Sequence, residues 1–226
     1  MNRVYLVTLA AAVILVPSAC GSTGSTSTTS PKLRPLSSLG HLQPAPDPGD
    51  VGAELVPIPK APALVPAASK ATLTKSVDGI KCQQNETLIS HEHAHLTLFV
   101  NGEPRRIPAG VGIWPPLTAQ NYRNGQFGVT PENCLSWLNT RYPDGLIHIE
   151  TPVRRAFVLG EFFDLWGQPL SASQVGPAHG AVTAIVNGSV WTGDPRQIPL
   201  KRHSQIQLEV GEPLIAPESI TFPGRY

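Results

Sequence analysis

A regular alternation of polar and apolar residues lies between positions 90 and 101, where the sequence reads S-H-E-H-A-H-L-T-L-F-V-N. Successive side chains of an extended strand point to opposite faces of a sheet. Three histidines, His91, His93 and His95, therefore share one face, while Ala94 and Leu96 belong to an apolar face. The pattern predicts a strand that is buried on one side and carries potential ligands on the other.

Two Asn-Gly pairs, which begin at Asn101 and Asn187, mark tight turns. An Asn-Gly pair between short β-type runs favours the two-residue type I′ turn of a β-hairpin. The strands that these turns join are expected at residues 96–100 with 103–107, and at residues 182–186 with 189–191.

The remaining elements define the predicted fold class. Further strands are expected at residues 146–150, 156–159 and 205–210. Short helices are expected at residues 131–139 and 159–166, where apolar residues recur at helical spacing. These elements predict an α+β fold that is mainly antiparallel sheet with one or two short helices. The order of hairpin, helix and hairpin also suits a β-grasp-like arrangement.

The N-terminal residues have the pattern of an export signal. Arg3 precedes an apolar run at residues 4–16, which is shorter than the roughly 20 residues that a membrane-spanning helix needs. Small residues come directly before Cys20, as in the bacterial lipobox. We therefore expect a signal peptide at residues 1–19 and lipidation of Cys20, which would anchor the protein to a membrane surface. The alternative is an ordinary signal peptide without a lipid.

Residues 20–75 have the composition of a tether. Residues 21–30 are only Gly, Ser and Thr, and nine prolines follow between positions 31 and 66. Such a segment buries too little apolar surface to offset its ordering entropy, which favours a disordered linker. One stretch, residues 54–65, is apolar enough to pack along the domain as an edge extension.

The folded unit is expected at residues 76–226, a common size for one domain. It contains two cysteines, Cys82 and Cys134. In an oxidising compartment these favour a disulfide, which would add on the order of 4 kcal/mol of stability by closing a long loop. The alternative is a pair of thiolate metal ligands.

Composition and motifs exclude several classes of function. The formal charge of +1 and the absence of any run of basic residues in the sequence argue against a nucleic-acid partner. The sequence contains no nucleophile elbow, phosphate loop, dinucleotide fingerprint or C-x-x-C pair. No catalytic residue is assigned on this basis.

The histidines are the candidate metal ligands. His91, His93 and His95 lie about 7 Å apart in a regular strand, so not all of them can bind one ion. Two of them could converge with His148 or Glu150 of a neighbouring strand. Imidazole and carboxylate ligands suit Zn(II), Cu(II) or Ni(II), and we favour Zn(II) or Cu(II). The alternative is a polar strand face without a ligand.

Several motifs resemble an uncharacterised family of secreted or membrane-anchored bacterial and archaeal proteins. They are H-x-H-A-H-L-T-L-F-V-N-G, C-L-x-W-L, G-L-I-H-I-E-T-P and L-G-E-F-F-D-L-W-G-Q-P-L, with V-N-G, G-D-P-R-x-I-P-L and I-x-L-E-V-G after them. The family has no assigned activity. The resemblance implies H-T-H-D after the W-L pair, but this chain has Asn139, Thr140 and Arg141 there.

Three functions remain open from the sequence. The first is a non-enzymatic binding or interaction domain, held outside the cell membrane by its lipid anchor, with an envelope protein as its expected partner and a metal bound by the histidines. The second is a metal-assisted hydrolase or redox enzyme with Glu92 or Glu150 as general base. The third is a structural envelope protein.

Overall fold

A computed structural model of the protein describes residues 33–65, 76–83, 88–114, 117–121, 127–131 and 134–222. The predicted signal peptide, Cys20 and the first part of the predicted tether lie outside these residues. Within the described ranges, no helix is both long enough and apolar enough to cross a membrane.

Most elements in the described part of the chain are short strands. The first ten are β1 (Leu33–Pro35), β2 (Asp50–Val51), β3 (Pro57–Ile58), β4 (Ser76–Val77), β5 (Ile80–Gln83), β6 (Ser90–Val100), β7 (Glu103–Arg105), β8 (Leu117–Asn121), β9 (Phe127–Pro131) and β10 (Leu135–Ser136). The next ten are β11 (Leu138–Asn139), β12 (Leu146–Thr151), β13 (Phe157–Val158), β14 (Leu170–Ser171), β15 (Gln174–Val175), β16 (Ala178–His179), β17 (Val182–Val186), β18 (Ser189–Trp191), β19 (Pro199–Leu200) and β20 (Gln205–Val210). The helices are α1 (Leu159–Trp166) and two 3-10 helices, Leu36–Leu39 and Pro195–Gln197.

The main sheet has eight strands in the order β1-β18-β17-β20-β6-β12-β11, with β7 paired to the end of β6. Its neighbouring strands are antiparallel except β6 and β20, which are parallel. The order β7-β6-β20-β17-β18, with a parallel pair at its centre and α1 between two hairpins, is a β-grasp arrangement. The predicted α+β fold, mainly antiparallel, is confirmed.

Both predicted hairpins are present. Asn101 and Gly102 have φ angles of 52° and 78°, and Asn187 and Gly188 have φ angles of 48° and 74°. A type I′ turn requires positive φ at both central residues, which Asn and Gly adopt at little cost. The turn chemistry therefore sets the strand register at both sites.

One face of β6 packs into the apolar core. Ala94, Leu96 and Leu98 are buried there in the same cluster as Phe162 and Trp166 of α1. Helix α1 spans the predicted bounds, because its aromatic residues recur on the side that faces this cluster. The core therefore occupies the even-numbered face of β6, which leaves the histidine face on the other side of the sheet.

The predicted helix at residues 131–139 is wrong. The described part of this segment instead contains the end of β9, then β10 and β11. Strand β10 pairs with β5, and β11 pairs with β12. The helical spacing of Leu135 and Leu138 is overridden because pairing with two different strands buries both side chains.

The predicted disulfide is confirmed. Cys82 and Cys134 are bonded, with their Cα atoms 5.5 Å apart and a sequence separation of 52. The bond ties the end of β5 to the residue that precedes β10. It therefore fixes the chain just before the segment that leads to the histidine site.

Residues 33–65 of the predicted tether pack against the domain instead of forming a linker; we call them the N-terminal strap. Strand β1 extends the main sheet at β18. The backbone of Gln43 bonds to Leu214 and Ala216, and Leu64 bonds to Arg106. The expected edge extension at residues 54–65 is thus one part of a longer packed segment.

Candidate metal centre

The candidate site lies where β6 pairs with β12. In the antiparallel register, His93 is opposite His148, and His91 is opposite Glu150. Directly opposed side chains on one face of a sheet have Cβ atoms only about 4.5–5.5 Å apart. Alternation within each strand and this register together bring the imidazoles to one place.

His91, His93 and His148 form a compact cluster. One ligand nitrogen from each of them lies within 4.8 Å of the others. His93 Nε2 is 3.0 Å from His148 Nδ1. The rings of His91 and His93 stand edge to face with centroids 4.9 Å apart. Three imidazole nitrogens of the type that binds transition metals therefore converge on one point.

A carboxylate from the strap contacts the far side of His148. The Nε2 atom of His148 lies 3.0 Å from Glu54 Oε1 and 3.2 Å from Glu54 Oε2. When Glu54 is ionised it only accepts hydrogen bonds, so His148 Nε2–H then donates to it and Nδ1 keeps its lone pair. A carboxylate behind a histidine ring is the usual partner of a metal ligand, since it fixes the tautomer and raises the basicity of the ring.

Glu150 is the second carboxylate of the site, and its side chain is buried. Its Oε1 accepts from Arg141 Nη2 at 2.7 Å and lies 3.1 Å from His91 Nε2. Its Oε2 accepts from Asn139 Nδ2 at 3.0 Å. Positions 139 and 141, where the family resemblance implies histidines, therefore both lie at this site. In this chain they hold Glu150 in place and add one positive charge.

Burial keeps two of the imidazoles neutral. Desolvation, followed by the charges of His148 and His91, lowers the pKa of His93 to about 3. Desolvation, followed by the charge of Arg141, lowers the pKa of His148 to about 3. A metal binds the neutral form of imidazole, so these ligands are ready to bind at neutral pH.

The pKa of Glu54, the carboxylate from the strap, is shifted in the opposite direction. Burial raises the pKa of Glu54 to about 7; Arg141 opposes this shift and Glu150 adds to it. A cation at the cluster would favour the ionised form of Glu54. Metal binding and ionisation of Glu54 are therefore expected to assist each other.

One pair of nitrogens in the cluster has the spacing of two metal ligands. Imidazole nitrogens lie about 2.0–2.1 Å from Zn(II), so two ligands of a tetrahedral site are roughly 3.3 Å apart. The separation of His93 Nε2 and His148 Nδ1 is 3.0 Å, which is close to that value. An ion would replace the hydrogen between these two atoms. His91, whose side chain is 18% exposed, lies on the side open to solvent.

Two predicted site residues lie elsewhere. His95 Nε2 is 2.8 Å from the carbonyl oxygen of Asp144 and is not in the cluster, although it shares the odd-numbered face of β6. Glu92, considered as a general base, belongs to the opposite face and accepts from Ser90 Oγ. The register explains the first result, since His95 is opposite Leu146 and not opposite a histidine or carboxylate of β12.

Three residues at the site were not predicted as site residues. Asn139 and Arg141 could have been placed there only from the family resemblance, because they replace its two implied histidines. Glu54 lies in the stretch noted as apolar enough to pack on the domain, and it is the only acidic residue of that stretch. A single acidic residue in a segment expected to pack on the domain was the signal that could have identified Glu54 as a site residue.

Comparison of the chain with protein-family models, with curated proteins and with solved structures finds no match.

Proposed function

We propose that this protein is an exported bacterial lipoprotein whose domain binds a divalent transition metal, Zn(II) or Cu(II), without catalysing a reaction. The ligands are His91, His93 and His148, with Glu150 beside them and Glu54 behind His148. The lipid on Cys20 holds the domain at the outer face of a membrane, where an envelope protein is its expected partner.

One observation carries the metal proposal. Three imidazole nitrogens on two adjacent strands lie within 4.8 Å of one another, and one buried and one half-buried carboxylate contact two of the three rings. A histidine face without a ligand would not need carboxylates that orient its rings. Nitrogen ligands with carboxylate support favour Zn(II) and Cu(II) over hard cations such as Mg(II), which prefer oxygen.

Binding is favoured over hydrolysis because no carboxylate of the cluster is placed as a general base. Both oxygens of Glu150 accept hydrogen bonds, from Arg141 and Asn139. Glu54 contacts His148 Nε2, on the opposite side of the ring from the ligand atom Nδ1. A water on the ion would therefore face a fully engaged carboxylate and not a free base.

The metal proposal is tested by measuring metal content. The full chain, purified without an affinity tag, is titrated with Zn(II) and Cu(II), and bound ions are counted by mass spectrometry. We expect one ion per chain, and its loss in His93→Gln and His148→Gln. His179→Gln, at an exposed histidine outside the cluster, is the matched control. Absence of a bound ion at micromolar metal would refute the proposal.

The anchoring proposal is tested separately. In a bacterial host, Cys20→Ser should move the protein from the membrane fraction to the soluble fraction and remove the mass of the lipid. Ser22→Ala, two positions later, should leave both properties unchanged. An unmodified Cys20 in the mature protein would refute lipidation without bearing on the metal site.

A further inference from the structure

A short hairpin of the strap carries Glu54 to the histidine cluster; we call residues 50–58 the strap hairpin. Strands β2 and β3 form it, with Asp50 opposite Ile58 and Val51 opposite Pro57. These strands make a separate two-stranded sheet beside the main one. A two-stranded hairpin is only marginally stable in water by itself. Contacts with the rest of the domain must therefore hold the strap hairpin in its closed position.

The turn of the strap hairpin is strained. Leu55 has a φ angle of 64°, in the left-handed region, and its side chain is 68% exposed. A residue other than glycine adopts this conformation at a cost in free energy, and it keeps it only where surrounding contacts impose it. The exposed Leu55 side chain offsets little of that cost, so the neighbouring residues have to supply those contacts.

Two kinds of contact hold the hairpin closed. The first is apolar, since the side chains of Val56 and Ile58 are buried. The second is polar, between the carboxylate of Glu54 and Nε2 of His148 at 3.0 Å. Burial of the two apolar side chains does not depend on a metal. The contact of Glu54 does, because its partner is a ring of the candidate centre.

The two nitrogens of His148 connect the hairpin to the metal. Its Nδ1 lies 3.0 Å from His93 Nε2 and is the ligand atom, whereas its Nε2 contacts Glu54. A divalent ion on Nδ1 makes the ring more positive, so Nε2–H donates a stronger hydrogen bond to the carboxylate. The presence of such a carboxylate typically changes metal affinity by about 10–100-fold. Coupling of this kind is reciprocal, so the metal favours the closed hairpin by the same factor.

The strap is attached to the domain on both sides of the hairpin. Before it, the backbone N–H of Gln43 donates to the carbonyl of Leu214 at 2.8 Å. After it, the backbone N–H of Leu64 donates to the carbonyl of Arg106 at 3.0 Å. The hairpin can therefore open while both ends of the strap stay in place.

We propose that a metal ion bound by the histidine cluster holds the strap hairpin closed through Glu54, and that the hairpin opens more often when the ion leaves. This inference rests on the proposed function, because it requires a metal in the centre. Opening exposes Val56 and Ile58 and removes Pro57 from the wall of a cavity that His95 and Thr97 also line. The metal-free domain therefore presents a different surface from the metal-bound domain.

The proposal is tested by amide hydrogen exchange, followed by NMR on the full chain without metal and with Zn(II). The reporters are the amides of Gly52 and Leu55, which donate to the carbonyls of Val56 and Gly52 within the turn. Zn(II) should slow their exchange by about tenfold or more. The amides of Gln43 and Leu64, outside the hairpin, should change much less.

Glu54→Gln is the decisive variant. It is examined at a Zn(II) concentration that fills the site, and metal content is measured in the same sample. The neutral amide of glutamine does not respond to the charge of the ion as a carboxylate does, so Zn(II) should no longer slow exchange at Gly52 and Leu55. Asp50→Asn, at an exposed acid of the same hairpin, should keep the full effect.

The outcomes separate this proposal from the metal site itself. Bound Zn(II) without slower exchange at Gly52 and Leu55 would overturn the proposal and leave the metal site standing. Equal slowing in Glu54→Gln and the natural sequence would also overturn it, because the effect would not pass through the carboxylate. Absence of bound Zn(II) in the natural sequence would refute both the proposed function and this inference.

Discussion

His148 Nε2 lies 3.0 Å from a carboxylate oxygen of Glu54, although 94 positions separate these residues in the chain. The contact joins the N-terminal strap to the centre of the histidine cluster. Glu54 lies within a turn in which the backbone N–H of Gly52 donates to the carbonyl of Val56. Val56 is buried, so it holds this turn against the domain, and Glu54 on the turn orients the ring of His148.

Glu54→Gln should lower metal affinity by about 10–100-fold, the usual effect of losing the carboxylate behind a histidine ligand. Glutamine can still accept a hydrogen bond from His148, but it does not raise the basicity of the ring. Affinity is measured by competition with a chelator. Asp50→Asn on the same strap is the control, since its carboxylate is exposed and contacts Lys60. Equal affinities of Glu54→Gln and the unchanged protein would show that the contact has no influence on the metal.

Arg141→His, combined with Asn139→His, should raise metal affinity at least tenfold. The change removes a guanidinium that lies 2.7 Å from Glu150 Oε1 and adds imidazoles at the two positions that contact this carboxylate. Arg141→Gln separates the two effects, because it removes the charge without adding a ligand. An unchanged affinity in the double variant would contradict the assignment of Glu150 to the centre.

His93 and His148, the two buried histidines of the cluster, should make folding stability fall in acid. Their pKa values are lowered from 6.5 to about 3, so between these values the unfolded chain binds more protons than the folded protein. Glu54 acts in the opposite sense between pH 4.5 and about 7, because its folded pKa is raised. The loss of stability should therefore be steepest below pH 4.5.

This pH dependence is measured as the free energy of unfolding in urea, without metal, between pH 7 and pH 3. The double variant His93→Gln, His148→Gln is compared at each pH, so that the contributions of other groups cancel. Its curve should be flatter on the acid side. Parallel curves for the two proteins would mean that these histidines are not neutral and buried in the folded state.

Loss of the disulfide should lower stability by about 2–5 kcal/mol, since it closes a loop of 52 positions. The double variant Cys82→Ala, Cys134→Ala avoids a free thiol. Its melting temperature should fall below that of the oxidised protein and should not respond to a reductant. The unchanged protein should lose stability when reduced, and a melting temperature insensitive to reductant would argue against the bond.

Local chemistry explains which predictions from the sequence were confirmed. The Asn-Gly turns, the alternation along β6 and the aromatic spacing of α1 depend on near neighbours in the chain, and they predicted both hairpins and the helix. The predicted helix at residues 131–139 was wrong because the strands that form there pair with strands that are distant in the chain. Pairing with β5 and β12 determines the conformation of this segment, and the spacing of its apolar residues could not predict that pairing.

The candidate site was likewise predicted from the sequence only in part. Alternation alone determined that His91 and His93 share a face, and it predicted that His148 and Glu150 could meet them. Only the register of β6 with β12 decided that His148 stands opposite His93 and that His95 is left to contact Asp144. Only the packing of the strap brought Glu54 to His148. The spacing of neighbouring residues can be predicted from the sequence because it depends only on local backbone geometry. The contacts of His148 with His93 and Glu54 cannot, because they depend on which distant surfaces bury one another when the chain folds.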